Sequence, residues 1–216
     1  MTTPPPVVLT LLGINFLVFL AMGSLDPSFI NALALWPLGT PDQIMTPQGV
    51  QTLPSFGVWQ LITYGFLHSG FSHIFFNMFG LWMFGSQVEE VWGPRRFLFY
   101  YLVCIVGAGI VQLITAAISG GIYPTIGASG AIFGILLAFG MLFPNRPVFL
   151  IFFPVPIPAK YMVIGYGLLE LWAGIGGIQP GVAHFAHLGG MLFGFLLILR
   201  WRKSGRNLPP QWRRWR

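Results

Sequence analysis

Charged side chains are scarce in this sequence. Asp, Glu, Lys and Arg together make up 7% of its 216 residues, whereas an average soluble domain is about 25% charged. Hydrophobic residues make up 55% of the chain, and its mean hydropathy is +0.75. So few charges cannot cover an ordinary water-exposed surface. The composition therefore excludes a typical soluble domain and indicates a polytopic membrane protein.

Cysteine is almost absent as well. Cys104 is the only one, so the chain cannot form an intramolecular disulfide. This residue lies inside an apolar stretch and has no neighbouring base in the sequence. We therefore do not expect a catalytic thiol at this position.

Six apolar stretches follow one another along the chain, and most are close to the length of about 17–25 residues that a membrane-spanning helix needs. We predict an all-α membrane protein, a six-transmembrane-helix bundle over 1–200 with a long first loop over about 24–70. A basic tail over 201–216 follows. The six stretches are 7–23, 71–88, 97–119, 128–143, 161–178 and 183–200.

Basic residues are absent from every second connection, which predicts the orientation. Arg95, Arg96, Arg146, Lys160 and all seven later Lys and Arg residues fall on one side of the predicted bundle. By the positive-inside rule that side is cytoplasmic, and both termini lie there. The first stretch lacks the basic segment of a signal peptide, and no Arg-rich leader precedes it. We therefore expect a bacterial cytoplasmic membrane.

The formal net charge of +6 is concentrated in the tail. Trp201, Trp212 and Trp215 are interleaved there with basic residues, a pattern typical of the membrane interface. The pattern suits contact with anionic lipids rather than nucleic acid. A plain topogenic anchor is the favoured interpretation of the tail, and a specific role for anionic lipids is the alternative.

A proline-broken apolar segment joins the fourth and fifth stretches. Pro154, Pro156 and Pro158 interrupt it and deny it continuous helical hydrogen bonds. We predict a cytoplasmic turn rather than a seventh span.

Ser129 opens a stretch of only about 16 residues, which is short for a full crossing. If this helix starts inside the membrane, Ser129 lies at its N-terminus, beside free backbone N–H groups and the positive end of the helix dipole. Both would favour a developing oxyanion. The segment before it is irregular, which at membrane depth requires burial in protein or a water-filled cavity. The alternative is that G127-A-S-G130 simply packs small residues between helices.

His187 precedes a small-residue repeat, Gly190 and Gly194, in the sixth stretch. G-x-x-x-G lets another helix backbone approach closely, which would bring a residue of the fourth helix within reach of the imidazole. A packed, hydrogen-bonded histidine is the alternative. His184, one turn earlier, is expected to be structural or to lie near the site.

His73 and Asn77 are spaced i and i+4, so they project from one face of a helix. Both can donate hydrogen bonds to one oxygen, as an oxyanion hole built from side chains requires. The alternative interpretation is that these residues only make polar contacts between helices. His68, at the start of that helix, is expected to support a loop by hydrogen bonding.

Other classes of function fit the sequence less well. The pairs His68/His73 and His184/His187 could ligate haem or a metal, but their spacings do not place two haem planes, and no Cys or carboxylate cluster accompanies them. Glu170 in the fifth stretch could be a proton site of a transporter, yet no internal repeat with broken helices supports that. We expect Glu170 to face a partner or the outer interface.

Taken together, the fragments resemble the rhomboid family of intramembrane serine proteases over about 56–200. H68-S-G-F-S-H-I-F-F-N-M is similar to the family's second-helix motif, G127-A-S-G-A-I-F-G to its nucleophile segment, and A186-H-L-G-G-M-L-F-G to its sixth-helix base. W59-Q-L-I-T-Y and V88-E-E-V-W-G resemble the family's first-loop motif and second-helix exit. The order and combination are more specific than any one motif.

The resemblance implies that Ser129 attacks the scissile carbonyl and His187 accepts its proton. His73, Asn77 and the backbone N–H of Ser129 would hold the oxyanion, while Gly127 and Gly130 permit close approach. No cofactor and no metal are expected. No Asp or Glu is placed in the sequence to orient the imidazole, so the expected machinery is a Ser–His dyad.

Two positions depart from the family's pattern. Phe133 stands where the family often has Tyr, and it would stack on His187 without a hydroxyl. Gln60 follows Trp59 where many members have Arg, which removes an ionic anchor of the first loop.

The expected substrates are proteins with a single transmembrane helix. The resemblance implies that the helix enters sideways between the second and fifth helices and unwinds near the site. Helical amides are hydrogen-bonded and shielded, so a helix-weakening residue near the cut is expected. The alternative is a catalytically silent rhomboid-like binding protein, against which the intact Ser129 and His187 argue.

Overall fold

Helices dominate the structure, a computed structural model that describes residues 5–47, 49–150, 153–178 and 181–203. The helices are α1 Pro6–Met22, α2 Pro27–Leu33, α3 Gln60–Thr63, α4 Phe71–Gly80, α5 Ser86–Trp92, α6 Pro94–Ser119, α7 Ser129–Leu142, α8 Ala159–Gly176 and α9 His184–Lys203. A 3-10 turn, Tyr64–Phe66, follows α3, and a π-helical turn, Leu81–Gly85, joins α4 to α5.

Each predicted apolar stretch is helical in the structure, with ends within four residues of the prediction; in the second stretch the helical segment consists of α4, the π-helical turn and α5. The helix in the fourth predicted stretch, α7, is short, as expected, and begins at Ser129. Within the described residues, α6 and α9 are long and apolar enough to cross a membrane, whereas α1 and α7 are shorter apolar helices. The count of six spans therefore remains a prediction.

The structure is mostly helical, as predicted, and it also contains two short hairpins that the prediction lacked. These antiparallel hairpins are β1 Gln43–Thr46 with β2 Gly49–Thr52, and β3 Pro147–Leu150 with β4 Phe153–Pro158. The second hairpin lies where a turn was predicted instead of a seventh span, and its cytoplasmic side remains a prediction. Its prolines are compatible with strands because every strand of a two-stranded sheet is an edge strand.

A buried carboxylate fixes the start of α1. The backbone N–H groups of Val7 and Val8 donate to Glu89 of α5, with N–O distances of 2.9 and 2.8 Å. First-turn N–H groups have no partner within their own helix, and a negative charge beside them also suits the helix dipole. Glu89 therefore ties the first helix to the end of the α4–α5 segment.

The helix α7 lies at the centre of the core, against α6 and α9. Glycines make this packing possible, because a Cβ on Gly190 would overlap the carbonyl oxygen of Gly130. One on Gly134 would overlap Cys104 of α6. The predicted close approach of helix backbones at the small-residue repeat is confirmed.

The first loop supports the connection that precedes Ser129. Leu35 and Thr125 exchange backbone hydrogen bonds of 3.0 and 2.9 Å, and the N–H of Gly127 donates to the carbonyl oxygen of Tyr64 at 2.9 Å. The Tyr64 hydroxyl in turn donates to Ile105 of α6 at 2.8 Å. The long loop is therefore a scaffold for the start of α7.

Gln60 anchors this loop without a charge. Its side chain is fully buried. It accepts from the Trp36 N–H at 3.0 Å and donates to the carbonyl oxygens of Ala32 and Ser55. A neutral amide thus supplies a donor and an acceptor where the resemblance led us to expect a lost ionic anchor.

Only the first part of the predicted basic tail lies within the described residues. Trp201 packs edge-on against Trp92, with ring centroids 5.4 Å apart, and the Arg96 guanidinium lies 5.7 Å from its ring. The part beyond Lys203, with Trp212 and Trp215, is outside the described residues, and its lipid contacts remain a prediction.

Candidate active site

Ser129 is the first residue of α7. Gly127, two residues earlier, has a φ of 123°, a conformation that residues with a Cβ rarely adopt. The first N–H groups of a helix lack partners within it, and the Ser129 hydroxyl lies at this end of α7. Ser129 therefore lies at the N-terminus of its helix, as predicted from the sequence.

The imidazole of His187 contacts this hydroxyl. Its Nε2 lies 2.7 Å from the Ser129 Oγ, although the two residues are 58 positions apart. His187 is in the first turn of α9, and the glycine contact between α7 and α9 brings the two helix starts together. A serine hydroxyl and an imidazole therefore lie within hydrogen-bond reach, the arrangement that serine activation needs.

Phe133 covers one face of the imidazole. The two rings are parallel within 6°, and their centroids are 4.3 Å apart. The predicted stacking is confirmed. On its other side Phe133 meets the ring of Tyr166 of α8 edge-on at 6.2 Å.

Glu170 lies behind the imidazole, which corrects one sequence-based prediction. Its Oε2 is 2.9 Å from Nδ1 of His187 and 2.7 Å from Nδ1 of His184. The expectation that no Asp or Glu is placed beside the imidazole was wrong, whereas Glu170 faces partners, the first of the two surroundings expected for it. The only signal in the sequence was a carboxylate within an apolar stretch, where burial without a partner is costly.

His73 offers a free N–H to the site. Its Nδ1 lies 3.4 Å from the backbone nitrogen of Ser69, which can only donate, and 3.1 Å from the Ser69 Oγ. Nδ1 is therefore the acceptor, and Nε2 carries the proton. An ideal Cβ on Gly127 would lie 2.6 Å from this Nε2 and 3.7 Å from the Ser129 Oγ.

Asn77 lies one turn further along α4 and is buried. Its Nδ2 donates to the carbonyl oxygen of His73, one turn back, at 2.9 Å. Of its two N–H groups one is thus used by its own helix, and the other is available to a ligand. The structure places Asn77 on the predicted face, and its oxyanion role remains a prediction.

Gly127 and Gly130 both stand where a side chain would not fit. The first faces His73, as described above. A Cβ on Gly130 would overlap the Cβ of Ala108 in α6 and would lie 3.4 Å from the carbonyl oxygen of Ala186 in α9. Their expected role in permitting close approach agrees with these contacts.

A cavity of about 1670 Å³ opens in front of the dyad. It exceeds the roughly 300–1,000 Å³ of small-molecule pockets, so an extended peptide segment has room in it. Its walls combine the start of α7 with α4 on one side and α8 and α9 on the other. The lining includes Phe76, Met83, Met162, Tyr166 and Val182.

His68 is buried beside the site. Burial lowers its pKa to about 4, and the neighbouring His73 acts in the same direction. Their rings meet edge-on with centroids 5.0 Å apart. Neither ring nitrogen of His68 makes a hydrogen bond of good geometry within the described residues, but the backbone of Phe66 in the first loop is close enough to raise its pKa slightly, in keeping with the predicted loop contact. A neutral His68 adds no positive charge beside His73 at pH 7.

Three side chains that could bind a metal ion lie close together within the described residues. One atom each of Glu170, His184 and His187 lies within 4.8 Å of the others. Zinc bonds of about 2.0–2.2 Å in a tetrahedral site would hold such atoms more than about 3 Å apart. The observed contacts of 2.7 and 2.9 Å are hydrogen-bond lengths, so this group is hydrogen-bonded as it stands.

The chain is similar to a known protein family over most of its length. A family model described as the Rhomboid domain matches residues 55–204. "Rhomboid protease GluP" of Bacillus subtilis is 34% identical over 138 residues, 63% of this chain and 25% of that protein. "Rhomboid protein 1, mitochondrial" of Saccharomyces cerevisiae is 31% identical over 202 residues, 90% of this chain and 53% of that protein.

A plant relative is similar to the same extent. "RHOMBOID-like protein 12, mitochondrial" of Arabidopsis thaliana is 32% identical over 161 residues, 67% of this chain and 46% of that protein. The matched chain therefore spans between a quarter and about half the length of these three relatives.

Proposed function

The chain belongs to the rhomboid family of membrane-integral proteins, and from that premise we propose that it is an intramembrane serine endopeptidase. The observation that carries the proposal is the 2.7 Å contact between Ser129 Oγ and His187 Nε2 at the edge of a large cavity. Relatives are named as rhomboid proteases, which supports a proteolytic reaction.

In the proposed reaction, the Oγ of Ser129 attacks the carbonyl carbon of the scissile peptide bond while its proton passes to Nε2 of His187. The resulting imidazolium then gives this proton to the leaving amine, and the C–N bond breaks. A water molecule next attacks the acyl-enzyme, with His187 again as the base, and releases the new carboxyl end.

Three donors are proposed to stabilise the oxyanion. Nε2–H of His73, an amide N–H of Asn77 and the backbone N–H of Ser129 border the same part of the cavity. Fixed donors act strongly at the point where negative charge develops, because they need little reorganisation during the reaction.

The proposed substrates are proteins with one transmembrane helix. Peptide bonds in an intact helix are shielded, so a segment must unwind before its carbonyl can reach Ser129. The cavity between α4 and α8 is large enough for an unwound segment.

The nucleophile is tested by cleavage of a single-span test substrate in proteoliposomes. Ser129→Ala should abolish cleavage and leave the melting temperature unchanged, because it removes one hydroxyl and creates little empty space. A fluorophosphonate probe should label the wild type and not this variant. Ser24→Ala, an exposed serine just after α1, is the matched control and should cleave normally. Cleavage by Ser129→Ala would disprove the proposal.

We further propose a cytoplasmic membrane in which the basic connections face the cytoplasm and the start of α7 faces outward. In a Cys104→Ala background, a cysteine at Ser119 should react with a membrane-impermeant thiol reagent added to sealed bacterial cells. A cysteine at Asn145, in the connection after α7, should react only after the cells are opened. The reverse pattern would invert the proposed topology.

A further inference from the structure

The hydrogen bonds of the site extend past the dyad to two more side chains. Glu170 of α8 lies between His187 and His184, and the same oxygen, Oε2, contacts both imidazoles. The side chains of His184, His187 and Glu170 are 8%, 10% and 14% exposed. At such burial a carboxylate requires partners that offset its charge.

Donor and acceptor capacities fix where most of the protons lie. Nε2 of His184 is 2.9 Å from the carbonyl oxygen of Ile178, which can only accept, so this nitrogen carries a proton. A His187 that is ready to act as a base accepts at Nε2 from Ser129, so its proton is on Nδ1 and is donated to Glu170.

One further proton lies in the 2.7 Å contact between Glu170 and His184. A carboxylate oxygen and an unprotonated imidazole nitrogen are both acceptors, so the contact requires a hydrogen between them. Whether this proton is counted on His184 or on Glu170, the pair is neutral as a whole. The resting site therefore contains no uncompensated charge next to the base.

From these contacts we infer that Glu170 and His184 are positioning residues that hold His187 in the reactive tautomer and balance the charge behind it. The inference rests on the proposed function and extends its dyad to an ordered row, Ser129–His187–Glu170–His184. Glu170 fixes the ring by accepting from Nδ1. His184 prevents the carboxylate from holding His187 in the protonated form, in which it could not accept the serine proton.

Removal of Glu170 and removal of His184 should therefore shift the pH–rate profile in opposite directions. Without His184, the Glu170 carboxylate is uncompensated and favours the imidazolium, so the acid limb of kcat/KM should move to higher pH. Without the carboxylate, His187 stays neutral to lower pH, and the limb should move down.

Other titratable groups that face the site stay constant in this comparison. They are His73 from α4, Tyr64 from the turn after α3, Tyr123 from the connection before α7 and Tyr166 from α8. Since the substitutions leave all four in place, opposite shifts can be assigned to the pair.

The experiment measures kcat and KM against pH for Glu170→Gln, His184→Asn and the double variant, with the fluorophosphonate labelling rate as a second readout. The amide of Asn in place of His184 can still donate to Glu170 but carries no charge. Glu90→Gln, an exposed carboxylate on α5, is the control and should match the wild type.

Glu170→Gln should lower kcat on the order of 10²-fold with little change in KM, because base catalysis contributes about 10²–10⁴-fold and the variant loses part of it. His184→Asn should be impaired at low pH and recover as the pH rises. The double variant should be no worse than Glu170→Gln alone, since residues that act as a unit are not additive.

Two results separate this inference from the proposed function. If Ser129→Ala is inactive while Glu170→Gln and His184→Asn keep the wild-type kcat and acid limb, only the inference is overturned. If both variants lose activity with equal melting-temperature losses and unshifted limbs, the role is structural and the inference is again wrong. Cleavage by Ser129→Ala would overturn the proposed function itself.

Discussion

The helix α9 is packed against α7 in one way and against α8 in another. Against α7 the backbones touch, because a Cβ on Gly190 would overlap the carbonyl oxygen of Gly130. Against α8 side chains fill the gap: an ideal Cβ on Gly167 would lie 3.5 Å from the Cε of Met191, an ordinary contact. A methyl group has no space at Gly190, whereas Gly167 leaves room for one; nearer the end of α8, a Cβ on Gly174 would lie 3.0 Å from the Phe185 ring.

The two hydrogen bonds of His187 cross these two different interfaces. Its contact with Ser129 crosses the tight interface, whereas its contact with Glu170 crosses the looser one. Most of α7 is buried, but the buried residues of α8 are confined to its first turns, at Ala159, Met162 and Val163. The positions of Ser129 and His187 are thus fixed by backbone packing, and the Glu170 carboxylate is brought to them by a less enclosed helix.

Gly190→Ala tests the tight interface and should have the largest effect. The added methyl group overlaps backbone, which cannot move aside as a flexible side chain can, so α7 and α9 must separate. We expect loss of Ser129 labelling and of cleavage, and destabilisation of about 3 kcal/mol or more. The measurements are probe labelling and thermal unfolding of the purified protein.

Gly167→Ala is the matched control on the looser side. It should keep activity and gain some stability, because Ala is favoured over Gly in a helix interior by about 1 kcal/mol. Equal damage from the two substitutions would remove the distinction between the interfaces. A fully active Gly190→Ala protein would refute the backbone contact.

Asn77→Ala should have a smaller effect on activity than Gly190→Ala. Asn77 lies on α4, which forms one wall of the cavity. Loss of one oxyanion donor lowers kcat by about 10²–10³-fold, so measurable activity should remain, whereas His187→Ala should leave none. Turnover of the test substrate by both variants is the measurement. An Asn77→Ala protein as active as the wild type would exclude this amide from the oxyanion hole.

Much of the fold could be predicted from the sequence. The six apolar stretches, the short helix that begins at Ser129 and the stacking of Phe133 on His187 all agree with the structure. Segments and helix starts are encoded in short windows of residues, through composition, proline and glycine. The two hairpins were missed because their strands are short and carry no clear alternation.

The candidate site could be predicted only where a motif marked it. Ser129, His187 and His73 lie in recognisable fragments, and the glycine repeat indicated that two helices could meet. Gln60 and Glu170 had no such marker. Gln60 was read as a lost ionic anchor, but a buried amide offers both a donor and an acceptor and can satisfy several backbone groups.

The sequence by itself determined which reactive side chains the protein has, which segments are helical and where small residues let helices approach. Only the tertiary structure decided what lies behind the base. Glu170 is 17 positions before His187 and on a different helix, so their contact depends on how α8 is rotated and placed against α9. No local pattern encodes that rotation, because it results from the packing of all the surrounding side chains.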